Sequence, residues 1–270
     1  TPPTDYVSLC STNLADPAVA DGSTAFDTTL YSGNDTQRDI TGLGFSPDMV
    51  WIKKRSSTGN HSLMDTVRGA TKNLVPNDTQ SEGTEAQYLN AFLSDGFSLG
   101  TSGVVNDGNS TYVAWEWDAG TSTVTNTDGI ITSSVRASQT NGCSIVSWTG
   151  NGSIAQTVGH GLNAAPKFII AKSRDSSIRW PVFHITVGGG NALFLNADSA
   201  PGGGTGIWGN TDPTSSVFTI ANDGEINKNG DNYIAYCFAP VEGFSAFGSY
   251  AGNASTDGPF VFTGFRPKFL

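Results

Sequence analysis

The sequence predicts a mainly β protein made of two tandem repeats of sandwich or jelly-roll type and the start of a third. Three observations lead there. The stretch Pro47-Asp-Met-Val-Trp-Ile-Lys-Lys-Arg55 returns as Pro166-Lys-Phe-Ile-Ile-Ala-Lys-Ser-Arg174 and begins again as Pro267-Lys-Phe-Leu270, and self-similarity at a fixed period marks a repeat architecture. Short runs rich in Val, Ile, Tyr and Trp alternate with Gly, Asn and Pro turns, the pattern of many short strands. Finally, 33 Gly, two Met and only 14% charged residues suit a loop-rich β protein better than a helical one.

The register of the repeat holds along the chain. Asn34 and Asn151 lie 117 residues apart, Pro47 and Pro166 lie 119 apart, and Phe97 and Phe218, like Tyr112 and Tyr233, lie 121 apart. The offset moves by two residues at a time, as expected when small insertions fall in surface loops. A period near 120 residues is the size of a domain that buries its own core, not of a solenoid turn.

Taken in order, residues 1–30 are an N-terminal segment in which Tyr6-Val-Ser-Leu-Cys10 resembles Tyr112-Val-Ala-Trp-Glu116 and Tyr233-Ile-Ala-Tyr-Cys237; it reads as a strand of a preceding repeat. The first repeat spans 31–120, with strands expected at Met49–Ile52, His61–Val67, Lys72–Val75, Gly96–Leu99 and Thr111–Trp117, runs of β-formers bounded by turn residues. Glu82–Leu93 is the one stretch that reads as helix or loop. Residues 121–141 are a Ser/Thr/Gly-rich connector with a β-like island at Gly129–Val135. The second repeat, 142–249, repeats the series through Cys143–Trp148, Phe168–Lys172, Trp180–Ile185, Ala192–Leu195, Val217–Ile220 and Tyr233–Phe238. Residues 250–270 start a third, so the chain reads as part of something longer.

Alternation along Tyr112-Val-Ala-Trp-Glu-Trp117 puts Val113, Trp115 and Trp117 on one face, matched by Ile234, Tyr236 and Phe238. Large side chains recur there, so this is expected to be the core face.

Composition excludes some functions. A formal charge of −10 argues against nucleic-acid binding, which needs clustered Lys and Arg. The three cysteines, Cys10, Cys143 and Cys237, are an odd count without metal spacing and read as free, buried thiols compatible with folding in a reducing cytosol. No run approaches the ~18 apolar residues of a membrane span.

Motifs with a chemical look are weak. Gly96-Phe-Ser-Leu-Gly100 fits a nucleophile elbow, but the second copy, Val217-Phe-Thr-Ile-Ala221, lacks both glycines and the serine, and the motif needs a strand-to-helix turn. Gly188-Gly-Gly190 and Gly202-Gly-Gly204 lack the Lys-Ser/Thr ending of a phosphate loop and read as plain loops. His61, His160 and His184 are scattered, and His184 aligns with Asp65, so no metal site is expected. The acidic turn Asp223-Gly-Glu-Ile-Asn-Lys-Asn-Gly-Asp231 has calcium-type oxygens, yet it contains Lys228 and its counterpart carries Ser102, Val104 and Ser110. Lys53 and Lys172, with Arg55 and Arg174, read as structural ion pairs or solvated strand ends rather than a ligand clamp. Asn-x-Ser/Thr sequons, beginning at Asn34, Asn60 and Asn77, carry little weight in so Asn-rich a chain. No catalytic residue, metal or cofactor is expected, and no binding residue is assigned.

Gly44-Phe-Ser-Pro-Asp-Met-Val-Trp-Ile-Lys-Lys-Arg55, Asp65-Thr-Val-Arg-Gly69, Ser94-Asp-Gly-Phe-Ser-Leu-Gly100, Tyr112-Val-Ala-Trp-Glu-Trp117, Val158-Gly-His-Gly-Leu162 with Ala165-Pro-Lys-Phe-Ile-Ile170, and Asn253-Ala-Ser-Thr-Asp-Gly-Pro-Phe260 with Thr263-Gly-Phe-Arg-Pro267 form an ordered series. Together they resemble the repeated module of large virion proteins of marine bacteriophages, cyanophages included. The resemblance implies lectin-like β-sandwiches in a tail-fibre-like appendage made in the host cytoplasm and exposed on the virion. It implies no catalytic residues. The function expected is non-enzymatic attachment to a host-surface glycan or receptor, alongside other virion proteins and in a homo-oligomer, a trimer by analogy with fibres. The alternative is an architectural head fibre or capsid-decoration protein. A glycan-cleaving enzyme, with Glu116 and Asp118 as the carboxylates to weigh, carries least weight, because Cys237 replaces Glu116 in the second copy.

Overall fold

The computed structural model describes residues 17–270, and Tyr6–Cys10 lies outside the described residues. After a 3-10 turn at Gly22–Thr24 the first half runs through β1 (Phe26–Ser32), β2 (Arg38–Thr41), β3 (Met49–Lys54), β4 (Ser62–Asp65), β5 (Lys72–Asn73), β6 (Gly83–Thr84), β7 (Leu89–Leu93), β8 (Gly96–Leu99), α1 (Gly103–Asn106) and β9 (Thr111–Trp117). Then come β10 (Thr123–Asn126) and β11 (Ser133–Ser138). The second half holds β12 (Cys143–Thr149), β13 (Gln156–Gly159), β14 (Phe168–Ser173), β15 (Pro181–His184), β16 (Asn191–Phe194), β17 (Gly202–Gly203), α2 (Gly204–Trp208), β18 (Val217–Ile220), α3 (Gly224–Asn227) and β19 (Asn232–Phe238). The molecule is mainly β, with several antiparallel sheets.

The strand order of the first sheet, β1-β9-β3-β4, recurs as β12-β19-β14-β15 inside a longer sheet. The register recurs with it: Tyr31 faces Tyr112 and Phe26 faces Trp117, as Trp148 faces Tyr233 and Cys143 faces Phe238. Tyr31 stacks on Tyr112 at 5.1 Å and Trp148 on Tyr233 at 5.3 Å. Both tyrosine hydroxyls close the same corner: Tyr112 donates to Gly103 O at 2.9 Å and Tyr233 to Gly224 O at 2.7 Å. They accept the amides of Asp107 and Lys228 in turn. The Asn ending each short helix completes the corner, as Asn106 Oδ1 takes the Asn34 amide and Asn227 Oδ1 the Asn151 amide. A buried polar group with all its partners met in both halves fixes the strand ends.

Each half buries its own cluster. Val50, Ile52, Met64, Phe97, Tyr112 and Ala114 belong to one; Ile169, Ala171, Phe183, Phe218, Tyr233 and Ala235 belong to the other. The expected core face is buried, in a cluster between the halves, and the opposite face is buried as well. Tyr112 and Ala114 point into their own half, whereas Trp117 and Met49 look outward and join Ile170, Val182, Ile234 and Tyr236 in a third cluster between the halves. Central strands here are buried on both faces, and alternation then cannot say which face belongs to which core.

Other expectations shift too. Glu82–Leu93 holds β6 and β7, because Gly83 and Thr84 pair with β5 and Leu89–Leu93 pairs with β8. The 121–141 connector is a hairpin laid on β12, so it extends the second sheet; the second strand, β11, starts within the expected island Gly129–Val135, and β10 lies ahead of it. β1 begins at Phe26, ahead of Tyr31, because its ladder with β9 runs to Trp117. Residues 250–270 contain no strand, and Gly202-Gly-Gly204 is β17 running into α2 rather than a plain loop.

Candidate functional site

The halves meet across a buried polar cluster. Arg68 sits with both charged partners at this seam: Nε reaches Asp65 Oδ2 at 2.5 Å and Nη1 reaches Glu82 Oε2 at 3.2 Å. Its remaining N–H groups donate to Lys72 O, Leu63 O and the Tyr236 hydroxyl. Tyr236 donates to Asp65 Oδ2 at 2.7 Å, and burial, outweighing the pull of Arg68, pushes its hydroxyl well above the ordinary tyrosine range. Glu82 is forked by Arg174 from the second half at 2.8 and 2.9 Å. Although burial opposes ionisation, the Arg174 and Arg68 contacts together hold the Glu82 carboxyl below its ordinary value. Two cations meet two anions here, which is what a buried ionic group requires. Trp180 adds Nε1 bonds to Val75 O and Asp78 O across the same seam.

Beside the seam lies an apolar cavity of about 630 Å³, walled by Met49, Trp51 and Trp117 from one half and Phe168, Ile170 and Phe238 from the other. Residues 244–247 and 265–269 close one side, with Phe269 6.0 Å from Trp117 and Phe247 6.2 Å from Phe168.

A second cleft, of about 320 Å³, opens in the first half between the turn after β3 and the start of α1; Lys54, Asn60, His61, Gln80, Glu85 and Tyr88 line it. Its rim is fixed by amides. Asn77 Oδ1 accepts the His61 amide at 2.8 Å and its Nδ2 donates to Asn60 Oδ1 at 3.0 Å. Trp51 Nε1 donates to His61 Nδ1 at 2.9 Å, and burial, then Lys53, lowers the His61 pKa, keeping the ring neutral. Lys54 pairs with Asp107 at 3.1 Å; desolvation opposes its charge, yet Asp107 and Tyr112 outweigh it and raise its pKa. Burial, then Glu85, raises the Tyr88 hydroxyl. A cation, planar amides and a phenol therefore converge on one small opening, a set suited to orienting a polar ligand through hydrogen bonds.

In the second half the same place is filled. Arg179, Phe194 and Glu225 align with Asn60, Val75 and Val104. Arg179 forks Glu225 at 2.6 and 3.1 Å and lies 3.7 Å over the Phe194 ring. Planar guanidinium stacking with a bidentate carboxylate is a contact that lysine would not reproduce.

The residues singled out in the sequence fall elsewhere. Ser98 is in the buried strand β8, and Gly96 is required because its φ is +151° and a Cβ would strike Ile40 O. His160 is buried, with Nδ1 accepting the Leu162 amide and Nε2 on Thr214 O. His184 contacts Thr186. In the acidic turn Asp223 caps α3, Glu225 holds Arg179 and Asp231 pairs with Lys228. Among the described residues no group of three or more His, Cys, Asp or Glu is placed to hold a metal. Lys172 is buried, donates to Ser173 O and Ser176 O, and is lowered to about 8 by desolvation. Lys53 caps Lys54 O, Arg55 is exposed and Arg174 is the seam cation. Glu116 is sealed on the core face while Asp118 is tied to Gly120 and Asn141, so these carboxylates do not share a cleft. Cys143 and Cys237 are free and buried. Sequence reasoning missed Arg68 and Glu82; Asp65-Thr-Val-Arg68 was visible as a motif, but only the fold brings Glu82 and Tyr236 to it.

Fold and clefts thus define a repeat-built β protein with a small polar opening in one copy of the repeat. The chain belongs to a family described as a domain of unknown function, DUF7483, whose model matches residues 21–270 and so takes in both halves. No curated protein and no solved structure matches the chain.

Proposed function

We propose that the protein is a non-enzymatic, tail-fibre-like module of a phage virion appendage that attaches to a host-surface glycan through the polar cleft of its first half. The observation that carries the binding reading is the contrast at one position of the repeat. It is open and lined by Lys54, Asn60, His61 and Tyr88 in the first copy, and stoppered by Arg179, Phe194 and Glu225 in the second. Loops on a β scaffold are where recognition concentrates. Hydroxyl-rich ligands match amide, phenol and ammonium donors without apolar burial. The virion setting rests on the ordered motif series, and the jelly-roll, lectin-like form of the halves rests on the recurring strand order. Screening the 270-residue chain on a glycan array tests the reading. Retention of a glycan by the native chain, lost in Asn60→Ala and Tyr88→Ala, is the expected result. No retained glycan, or equal retention by these variants, defeats it.

The second reading is an architectural head fibre or capsid decoration. It is favoured by the exposed Phe260 and Phe262 in the C-terminal segment, which present apolar surface to a neighbouring virion protein. Immunolabelling confined to the capsid lattice supports it and counts against host attachment.

A further inference from the structure

One charge in the first-half cleft has no counter-charge. Glu85 is the one carboxylate among the residues that line the opening, and it is half-buried just after β6. Its backbone is pinned on both sides: its amide donates to Thr71 O at 2.8 Å, and its carbonyl accepts the Tyr88 amide at 3.0 Å. Gly83 leaves the room that the side chain uses, since a Cβ at that position would come within 3.3 Å of Glu85 Oε1. The carboxylate is near enough to Tyr88 to help burial raise the phenol. No ion pair among the described residues includes Glu85.

The cations nearby are already engaged. Lys54, the ammonium that lines the cleft, is paired with Asp107 at 3.1 Å. Lys53, whose charge reaches His61, donates to Lys54 O and does not line the opening. His61 is neutral, and because its Nδ1 accepts the Trp51 indole N–H, its proton sits on Nε2 and makes that atom a donor. With Lys54 balanced by Asp107, the opening keeps the negative charge of Glu85, in a chain whose formal charge is −10. A second anion brought to a half-buried carboxylate is repelled more strongly than in open water.

We infer that the cleft takes a neutral sugar and turns away acidic ones, and that Glu85 sets this selectivity by accepting hydroxyl protons from the ligand; the inference rests on the glycan reading above. An ionised carboxylate only accepts, and its two oxygens can serve two hydroxyls at once. Hydrogen bonds to a charged acceptor are the stronger kind. Lys54, Asn60 and the Nε2 proton of His61 supply the donors for the sugar's own oxygens. A uronate or a sulfate would meet Glu85 with like charge and find Lys54 already paired, so discrimination comes from repulsion as well as from fit. The second half has none of this chemistry at the matching positions: Ser173 aligns with Lys54, Lys228 with Asp107, and the stretch Gly204-Thr-Gly206 with Glu85.

Neutral oligosaccharides and their hexuronate-bearing counterparts of the same linkage, presented side by side to the full chain, test this. The native protein is expected to retain neutral members and to bind their acidic counterparts at least about tenfold more weakly. Glu85→Gln should weaken neutral binding about tenfold and narrow the gap between the two sets. Asp107→Asn, which frees the charge of Lys54 while keeping an acceptor oxygen in place, should raise retention of the acidic set. Melting curves that overlay the native one show that each variant is folded, and the preference of the native chain decides the matter where one does not. Acidic members retained as well as neutral ones by the native chain, or a preference unchanged in both folded variants, overturns the inference and leaves glycan attachment standing. A native chain that retains no glycan at all overturns both.

Discussion

The two halves share a frame and differ in where they place charge. Both stack an aromatic pair at the corner, both cap it with tyrosine and asparagine, and both order four strands alike. Yet the first half buries Asp65, Arg68 and Glu116, where the second carries His184, Val187 and Cys237. The first keeps a polar cleft open, while the second fills it with Arg179. Backbone-fixing contacts persist because every copy needs them to form the sheet, whereas the Asp65, Arg68 and Glu82 cluster appears in one copy only, where the first half meets the second.

The largest effect expected from erasing that difference is at Arg68. Arg68→Leu leaves Asp65 and Glu82 buried beside a single arginine and should cost about 3–5 kcal/mol, read by urea denaturation. Val187→Leu at the matching position should change stability by less than about 1 kcal/mol. Equal losses at the two positions would mean that the seam is not special.

Next is Glu116. Burial, then the nearby Asp27, raises its carboxyl to about 9. The folded state therefore holds a proton that the unfolded chain loses above its ordinary value near 4.5, and stability falls as pH rises between those two values. Glu116→Gln should remove this slope and gain several kcal/mol at pH 8 relative to the native chain. Parallel stability–pH curves for the two proteins would rule this out.

Smaller still, Trp180→Phe removes the indole bonds to Val75 O and Asp78 O. It should cost about 1–2 kcal/mol, seen as a lower melting temperature. The smallest stability change is expected from Arg179→Ala, whose pair with Glu225 is partly exposed and contributes about 0.5 kcal/mol. This variant should also unstopper the second cleft and make the halves more alike; a loss of several kcal/mol would show that Arg179 is a structural pillar instead.

Much of this frame could be read from residues alone. Pro47 and Pro166, Tyr112 and Tyr233, and Asn34 and Asn151 gave the register, because turn and corner chemistry is local and each residue type has a specific backbone task. Sidedness could not be read. Trp117 looked like core since it is large, but a strand buried on both faces satisfies alternation either way round. The hairpin at 123–138 was hidden by its Ser and Thr residues, which suit an exposed edge strand as well as a linker. The polar cleft was invisible because Asn60, Gln80 and Tyr88 are common surface residues until the fold gathers them.

The β10–β11 hairpin has one more consequence. It adds to the edge of β12, and Arg136 on it reaches back to Asp48 of the first half at 2.6 Å. The passage from one half to the next is thereby tied to the second sheet by β11 and to the first half by Arg136. Units strung together through such a joint would resist bending as a rod does, and a side group carried on one would point in a set direction relative to the next.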